Sequence, residues 1–485
     1  MNNHLIHKIA IYFLATILIF SSCKNTLREE VYSSLTTNSY FKSEQDFTLA
    51  LYGAYKGLAP EWGYYHKYYH CINDSPTDML LVDQAWAQGE YGVLKDFTWD
   101  ASTGLFGGFI YDAIYIAISR ANLVIDETSK TSVLTDAVKK RIIAESKFIR
   151  ALCYYDGSGW FGGLPIVTDS AIDPLSKPSR ASIEEVNTLI EKDLTEALGD
   201  LPVSVPKAEW GRATQGAAQA LLCKLYMRTK DFAKAKDMAA NVISGPYTLQ
   251  ATYGDVFSLS NEENNEIIFA INNITPNPQG NGSLFNAHAL PSDFKPISSL
   301  DSWSGFRATM TLYNYFELGD HRRDYLIFDY PTRSGEIGHS VNPIVVKFPI
   351  DPTQAGHQGT NDELVLRLAD IILCKAEAVN EVSGPTQEAF DLINVIRARA
   401  FGNTTHKLST SDLPTKDAFR SYLLTERARE LYHEGKRRED LIRFGKYIQF
   451  AKDRGATSAD DHQLLFPIPK PSLDANTALV QNPGY

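Results

Sequence analysis

The feature that most constrains this chain is a pair of helical patterns joined by a very short connection. Apolar residues recur at helical spacing in residues 214–228 and again in residues 231–244. Asp231 is suited to cap the second helix, and the dipeptide Gly245-Pro246 ends it. Because the connection at Lys230 leaves room only for a tight turn, the two helices must run antiparallel. The sequence therefore predicts a helical hairpin as a basic unit of the fold.

Similar helical patterns recur along much of the remaining chain. Ser43 is placed to cap a first helix, and Ser182 with Glu185 fits a capping box at the start of another, residues 182–198. Further helical patterns cover residues 111–125, 137–155, 364–382, 387–400 and 418–450. Alternating or continuous apolar runs predict short strands at residues 266–272 and 344–348. We therefore expect a mostly α fold, in which helical pairs form a scaffold accompanied by a few short β-hairpins.

Long polar loops interrupt the helical patterns, chiefly in residues 60–100 and 273–360. Loops of this length in a compact domain are usually functional. We expect them to form a loop-rich, ligand-binding half of a single domain that covers residues 38–485.

The N-terminus has the pattern of a secreted lipoprotein. Lys8 precedes an apolar stretch, residues 9–20, that is too short to span a bilayer as a helix but has the length of a signal-peptide core. Two small residues then lead directly to Cys23. This pattern predicts a signal peptide in residues 1–22, lipid attachment at Cys23, and a polar tether in residues 23–37. Two or more acyl chains would anchor the protein stably to a membrane.

Charge and motifs exclude several classes of function. The formal net charge of −11 argues against nucleic acid as a partner. The residues from Gly157 to Gly162 fit GxGxxG literally, but they follow a helix rather than a strand, so they do not predict dinucleotide binding. Glu426, Glu430 and Glu434 share one helical face beside Arg427, Arg429, Arg437 and Arg438, which favours a structural ladder of ion pairs over acid–base catalysis. We expect no cofactor, no metal site and no enzymatic activity.

The four cysteines that follow Cys23 form no disulfide framework. Cys153, Cys223 and Cys374 lie in apolar helical segments and are expected to be buried, while a disulfide involving Cys71 stays open.

Eleven short blocks, in order along nearly the whole mature chain, resemble the SusD/RagB family. They are residues 141–155 (RIIAESKFIRALCYY), 161–167 (FGGLPIV), 211–214 (GRAT), 230–235 (KDFAKA), 265–269 (NEIIF), 366–378 (LRLADIILCKAEA), 394–400 (NVIRARA), 426–437 (ERARELYHEGKR), 440–445 (DLIRFG), 466–469 (FPIP) and 481–485 (QNPGY). No single block is specific for this family, but their occurrence in this order behind a lipoprotein signal is highly specific. Arg438 departs from the aromatic residue that is common at its position, and the acidic cluster that often follows the lipidated cysteine is absent.

The resemblance implies a fold of tetratricopeptide-like helical pairs that support a ligand-binding half. It also implies a non-catalytic protein that holds nutrient glycan at the bacterial outer membrane, with which it associates through its N-terminal lipid. A further implied partner is a SusC-like TonB-dependent transporter, which the lipoprotein covers like a lid.

 

The aromatic residues of the loops carry the expectation of sugar binding. Pyranose rings expose apolar C–H faces that flat side chains cover with little loss of entropy, and polar side chains then fix the hydroxyl groups. Both kinds of residue occur in the loops, and their positions are similar to those of ligand-binding loops in the family. The candidate ligand-binding residues are Trp86, Trp303, Asp78, Asp83, Tyr91, Phe306, Arg307 and Tyr65. Trp62 is a further candidate for lining a groove, whereas Trp99, Trp160 and Trp210 are expected to pack in the core.

Three other readings stay open on the sequence alone. In the first, the protein serves the same type of transporter but binds a peptide or another nutrient. In the second, the chain is a helical-repeat scaffold that binds only proteins. In the third, it is a surface hydrolase. Long loops rich in aromatic residues favour ligand binding over a pure scaffold. The missing catalytic motif weighs against a hydrolase.

Overall fold

The helical hairpin expected from the sequence is present. In the computed structural model, which describes residues 40–83, 89–171, 173, 175–273, 282–295, 299–352 and 354–485, Thr214 and Asp231 cap its two helices. Their side chains accept hydrogen bonds from the backbone N–H groups of Ala217 and Lys234. Lys230, with φ of 61°, makes the tight turn between them. Cys23 and Trp86 lie outside the described residues.

About half of the chain is helical, as predicted. The α-helices are α1 (Glu44–Lys56), α2 (Tyr68–Asp74), α3 (Glu90–Asp96), α4 (Asp112–Lys130), α5 (Asp136–Phe161), α6 (Ile183–Leu198), α7 (Gln215–Arg228), α8 (Phe232–Ile243), α9 (Phe285–Ala289), α10 (Met310–Tyr315), α11 (Leu368–Ser383), α12 (Gln387–Phe401), α13 (Lys416–Leu431), α14 (Arg437–Arg443), α15 (Tyr447–Asp453) and α16 (Lys470–Ala475). The capping box of Ser182 and Glu185 at α6 is confirmed.

The long helices pack in a continuous series. Helix α1 packs against α4, α4 against α5, α5 against α6, and α6 against the hairpin of α7 and α8. Helix α8 then packs against α11, which also contacts α12 and α13. One large core of buried apolar side chains runs through this series. The arrangement confirms the expected scaffold of paired helices.

The strands are short and, within the described segments, form four two-stranded sheets. They are β1 (Leu80–Val82), β2 (Ile267–Ile271), β3 (Ser299–Leu300), β4 (Phe306–Ala308), β5 (Leu326–Pro331), β6 (Ile337–Val345), β7 (Ala355–Gly356) and β8 (Glu363–Arg367). The pairs β1–β4, β2–β8 and β5–β6 are antiparallel, and β3–β7 is parallel. Only β5 and β6 follow each other along the chain, so most pairs join distant loops.

Two boundaries differ from the sequence-based expectation. Residues 364–367 were expected to begin a helix, but they belong to β8 because they pair with β2. The charged helical region expected at residues 418–450 is divided into three helices, α13, α14 and α15. The first break falls where His433 and Gly435 both have positive φ, at 54° and 68°, which a helix does not tolerate.

Helix α4 and the turn before it are long and apolar enough to cross a membrane by length and composition. However, Ala117, Ile118 and Ala121 of α4 are fully buried, and the helix packs between α1 and α5. We therefore interpret α4 as a core helix. Cys71, Cys153, Cys223 and Cys374 are all buried free thiols, so Cys71 forms no disulfide with another cysteine of the described residues.

A dense group of buried charges lies beneath the loops. We call it the interior ion-pair cluster, and it consists of Arg322, Arg367, Arg399, Glu266, Glu426, Glu430 and Glu434. Each side chain of the cluster is at most 4% exposed. Burial alone would raise the pKa of Glu430, yet Arg399, Arg367 and Arg322 hold that pKa well below its usual range.

The expected ion-pair ladder of the three glutamates is therefore present, but with different partners. Of the four arginines expected beside them, Arg429 bonds Glu426 at 2.9 Å. Arg427 instead pairs with Asp370 and Asp440, and Arg438 donates to backbone carbonyl groups. The partners that replace them, Arg322, Arg367 and Arg399, come from other parts of the chain.

Candidate ligand-binding site

Three aromatic rings from three separate loops meet at the surface. We call this group the aromatic platform, and it consists of Trp62, Trp303 and His357. The two indole rings are nearly parallel, with centroids 5.9 Å apart and planes 9° apart. The ring of His357 lies 4.7 Å from Trp62 and 4.8 Å from Trp303. All three side chains are half-buried, so the group presents a partly exposed aromatic surface.

Trp62 is placed by a compact turn that follows α1. The backbone N–H of Gly63 donates to the carbonyl of Pro60 at 3.1 Å, and that of Tyr65 donates to Leu58 at 3.3 Å. Trp62 itself has φ of 59°, which is unusual for a bulky residue. A side chain at Gly63 would come within 2.7 Å of the Pro60 ring. The turn thus holds the indole in one place at an energetic cost that the surrounding contacts offset.

Trp303 is fixed by backbone hydrogen bonds to α9 and the residue that follows it. The N–H groups of Trp303, Ser304 and Gly305 donate to the carbonyls of residues 287, 290 and 288, at 2.7, 3.0 and 2.7 Å. Gly305 is needed here because an added Cβ would lie 3.1 Å from the ring of His288. Three successive backbone bonds leave this loop little freedom to move. The position of the Trp303 ring is therefore set before any ligand arrives.

His357 reaches the platform from the third loop. It directly follows β7, which pairs with β3, and the N–H of Asp301 extends this pairing by donating to the carbonyl of Gly356 at 3.0 Å. The same pairing holds the segment that leads to Trp303. One short parallel contact therefore aligns two of the three rings.

The surroundings of the platform are acidic at its edge and uncharged beneath it. The indole N–H of Trp62 donates to Glu61 at 3.0 Å, and that of Trp303 donates to Asp301 at 3.3 Å. Beneath Trp303, the ring of His288 stands perpendicular to the indole at 4.9 Å. Burial lowers the pKa of His288 to about 3, so this ring is neutral at physiological pH. The platform is thus suited to a flat ligand that is not negatively charged.

Comparison with known proteins identifies the family of the chain. The model of the SusD family matches residues 330–485, and a second model, described as starch-binding associating with outer membrane, matches residues 28–227. The two matches cover separate parts of the chain. The chain belongs to the SusD family. This confirms the resemblance found in the sequence blocks.

Similar proteins span nearly the same length as this SusD-family chain. SusD-like protein P25 of Formosa agariphila is 26% identical, and the match covers 96% of this chain and 98% of that protein. The starch-binding protein SusD of Bacteroides thetaiotaomicron is also 26% identical, over 88% of this chain and 86% of its own. A solved laminarin-binding SusD-like protein is 25% identical with a TM-score of 0.77, covering 92% of this chain and 100% of that one.

Trp303 is the expected site residue that the structure places in the aromatic platform. Asp83 and Arg307 lie close behind it. The N–H of Asp83 donates to the carbonyl of Gly305 at 3.0 Å, and Arg307 donates to Ser304 Oγ at 2.7 Å. Arg307 is only 7% exposed, and its guanidinium lies 4.0 Å from the Asp83 carboxylate. These two residues support the Trp303 loop, and Asp83 is the more accessible of them.

Asp78 and Phe306 were expected to contact ligand, and the structure corrects both. The carboxylate of Asp78 accepts hydrogen bonds from Arg437 at 2.7 and 2.6 Å and from the Tyr315 hydroxyl at 2.8 Å. Phe306 is 3% exposed and stacks on His433 with centroids 5.5 Å apart. Asp78 and Phe306 therefore lie in the interior, where they support the short sheet of β1 and β4.

Tyr65 and Tyr91 are corrected for the same reason. The hydroxyl of Tyr65, which is 2% exposed, donates to Asp156 at 2.6 Å in the core. Tyr91 is 3% exposed and packs its ring against His288 and Phe306. A loop position and an aromatic side chain were not sufficient to predict exposure. Trp86, the remaining candidate, cannot be placed because it lies outside the described residues.

The sequence-based candidates missed His357 and gave Trp62 only secondary weight. His357 lies in a glycine-rich part of the third loop with no recognisable motif. Trp62 follows α1 directly, and its positive φ has no signal in the sequence. Trp210, expected to pack in the core, is half-buried and donates its indole N–H to Asp362 at 2.7 Å.

Proposed function

We propose that this protein binds a glycan on the aromatic platform and passes it, unaltered, to a SusC-like TonB-dependent transporter. The observation that carries the proposal is the pair of nearly parallel, half-buried indoles of Trp62 and Trp303. Such rings cover the apolar faces of sugar rings at low entropic cost. The starch-binding and laminarin-binding relatives support a glycan as the ligand class.

The acidic edge of the platform narrows the ligand further. Glu61 and Asp301 each lie beside one of the two indoles and accept its N–H. Carboxylates can also accept hydrogen bonds from sugar hydroxyl groups, whereas they repel sulfate or uronate groups. The preferred ligand is therefore an uncharged glycan.

We expect binding without hydrolysis. A glycosidase needs two carboxyl groups that flank a bond of the bound substrate. The platform has Glu61 and Asp301, but each is engaged by an indole, and the glutamates of the interior ion-pair cluster are buried and paired with arginines. This arrangement supports the proposal of a binding protein.

We also propose that lipid at Cys23 anchors the protein to the outer membrane, with the platform facing the cell exterior. The family description as associating with outer membrane supports the location. The anchoring is checked by fractionation, because a Cys23→Ala variant should leave the membrane fraction.

The test uses the soluble chain without residues 1–23. Its affinity is measured by isothermal titration calorimetry against laminarin, starch and a uronate-rich polysaccharide. We expect binding of at least one uncharged polymer, and Trp62→Ala or Trp303→Ala should weaken it at least about tenfold, because each removes a stacking surface at the centre of the site. Phe232→Ala, a half-buried aromatic of α8, is the matched control and should leave the affinity unchanged.

Three outcomes would contradict the proposal. If both tryptophan variants retain full affinity, the site lies elsewhere. Binding of peptides but of no polysaccharide would favour the alternative nutrient. Release of sugars from a bound polymer by the pure protein would show that it is an enzyme.

A further inference from the structure

A second recess, separate from the aromatic platform, opens beside the end of α1. We call it the side recess, and it has a volume of about 510 Å³, which is within the usual range for small-molecule sites. Its walls are mostly apolar and are formed by Tyr55, Leu58, Trp210, Phe269 and Ile271. Leu58 and Phe269 are fully buried, while the other three are half-buried. The strand β2 forms one side of it and α1 the other.

The charged groups of the side recess have one sign. Lys56 and Arg212 line it, and no carboxylate is among the described residues that do so. Arg212 is already neutralised by Glu145 and Glu209, at 2.6 Å each. Lys56 differs, because within the described part of the chain no carboxylate oxygen lies within 4 Å of its ammonium group, and Glu61 acts on it only from a greater distance.

The charge of Lys56 and the most deeply buried apolar walls lie at opposite ends of the side recess. Lys56 and Tyr52 are both exposed, so they mark the solvent end of the side recess, whereas the buried Leu58 and Phe269 mark its inner end. Burial and the nearby charge of Arg120 lower the pKa of Lys56, and the charge of Glu61 opposes this shift. A ligand that enters therefore meets a cation at the opening and apolar surface inside.

The lining suits a different ligand from that of the platform. A sugar chain needs many hydrogen-bond partners, and the inner part of the side recess offers chiefly the amide of Asn273 and the neutral ring of His66, with Asn272 exposed to solvent. His66 is engaged with Asn273 at 2.9 Å, and burial lowers its pKa. We propose that the side recess binds a small aryl carboxylate, with its ring against the wall formed by Tyr55, Phe269 and Trp210 and its carboxylate against Lys56.

The test compares two ligands that differ only in charge. Binding of naphthalene-2-carboxylate and of the uncharged naphthalene-2-carboxamide to the soluble chain is measured by isothermal titration calorimetry. The carboxylate should bind more tightly, and its affinity should fall as salt is raised. Lys56→Gln should weaken the carboxylate roughly fivefold, the value of one partly exposed ion pair, and leave the carboxamide unchanged.

Matched variants locate the effect. Lys140→Gln removes an exposed lysine on α5 and should change neither ligand. Ile271→Trp should fill the side recess and weaken both ligands, provided that circular dichroism shows an unchanged fold. Trp62→Ala should not affect either ligand, which separates this site from the platform whether or not glycan binds there.

The proposal fails if the carboxylate does not bind, or if the carboxamide binds equally well. It also fails if Lys140→Gln weakens the carboxylate as much as Lys56→Gln does. Loss of aryl carboxylate binding in Trp62→Ala would assign the ligand to the platform instead.

Discussion

The interior ion-pair cluster and the aromatic platform lie in neighbouring parts of the fold but are held together by opposite kinds of interaction. The cluster joins buried charges, and its members are at most 4% exposed. The platform joins half-buried rings whose positions depend on backbone hydrogen bonds and short strand pairings. The glutamates and arginines of this motif could suggest acid–base catalysis from the sequence. However, every charge in the cluster already has a partner inside the protein.

A binding surface is expected to leave part of its area uncovered by the rest of the protein, whereas a buried ion-pair cluster engages its charged groups internally. Glu430 accepts hydrogen bonds from Arg322 and Arg367, at 3.1 and 2.7 Å, and from Arg399, so both of its carboxylate oxygens are engaged inside the protein. The side chains of Trp62 and Trp303 are half-buried, so part of their apolar area stays open to the ligand that we propose. In this interpretation, buried charge stabilises one arrangement of the chain, and the exposed aromatic surface is the part that we propose for recognition.

The largest effect should follow from breaking the interior ion-pair cluster. Arg367 bonds Glu434, Glu266 and Glu430, all between 2.7 and 2.9 Å, and is 2% exposed. Arg367→Met leaves these carboxylates without a full set of partners, so the free energy of unfolding should fall by about 3–5 kcal/mol. Urea denaturation followed by circular dichroism measures this loss.

The control for Arg367→Met is Arg120→Met. Arg120 lies exposed on α4, where it makes one hydrogen bond to the carbonyl of Gly53. Its removal should change the stability by less than about 0.5 kcal/mol. Equal losses in the two variants would show that the cluster is not the stabilising element we describe.

The scaffold could be predicted from the sequence because its determinants are local. Ser182 and Glu185 form the capping box of α6, and Asp231 caps α8, as the residue types and spacing indicate. Residues 364–367 show the limit of such reasoning. A short apolar run fits a buried strand and a buried helix equally well, and only the pairing of β8 with β2 decides.

The site could be predicted only in part because its residues meet through tertiary contacts. Trp62, Trp303 and His357 are far apart in the chain, and β3–β7 pairing brings two of them together. Trp303 was a candidate because a tryptophan in a polar loop is conspicuous. Asp78 lies in a similar loop, but its buried partner, Arg437, is 359 positions away along the chain.

An intermediate effect should follow from Asp78→Asn, which acts on both regions. Asp78 pairs with Arg437, and its carbonyl accepts a hydrogen bond from Thr309, just after β4. The substitution keeps the shape but removes the charge that neutralises buried Arg437, which should cost about 2–3 kcal/mol of stability. Glycan affinity should fall less than in Trp303→Ala, because the platform is loosened but not removed. Calorimetry of denaturation and of binding, on the same variant, separates the two effects.

Asp78→Asn also has a clear contrary outcome. Asp301→Asn changes a carboxylate at the platform edge that has no arginine partner among the described residues, so its stability should match that of the unmodified protein. If Asp78→Asn is equally stable and loses binding as severely as Trp303→Ala, then Asp78 contacts the ligand after all.

The last effect depends on pH and should come from His70, which lies at the boundary of the two regions. Its Nε2 is 3.0 Å from Glu363, its Nδ1 is 3.9 Å from Asp74, and its ring meets Phe285 of α9 edge-on. Burial opposes the charged form, but the two carboxylates raise the pKa of His70 to about 9, above its ordinary value of about 6.5. Its stabilising contribution is therefore complete below about pH 6.5 and is lost as the pH rises through about 9.

The measurement is the difference in the free energy of unfolding between the unmodified protein and His70→Gln, taken from pH 6 to pH 10. The difference isolates His70 because every other titrating group is common to both proteins. The difference should be largest at pH 6 and shrink steadily towards pH 10. As the pH rises, His70 loses its proton and with it the charge attraction to Glu363 and Asp74. A difference that stays constant across this range would mean that His70 is neutral in the folded protein. The boundary between charged interior and aromatic surface would then rest on hydrogen bonding and packing alone.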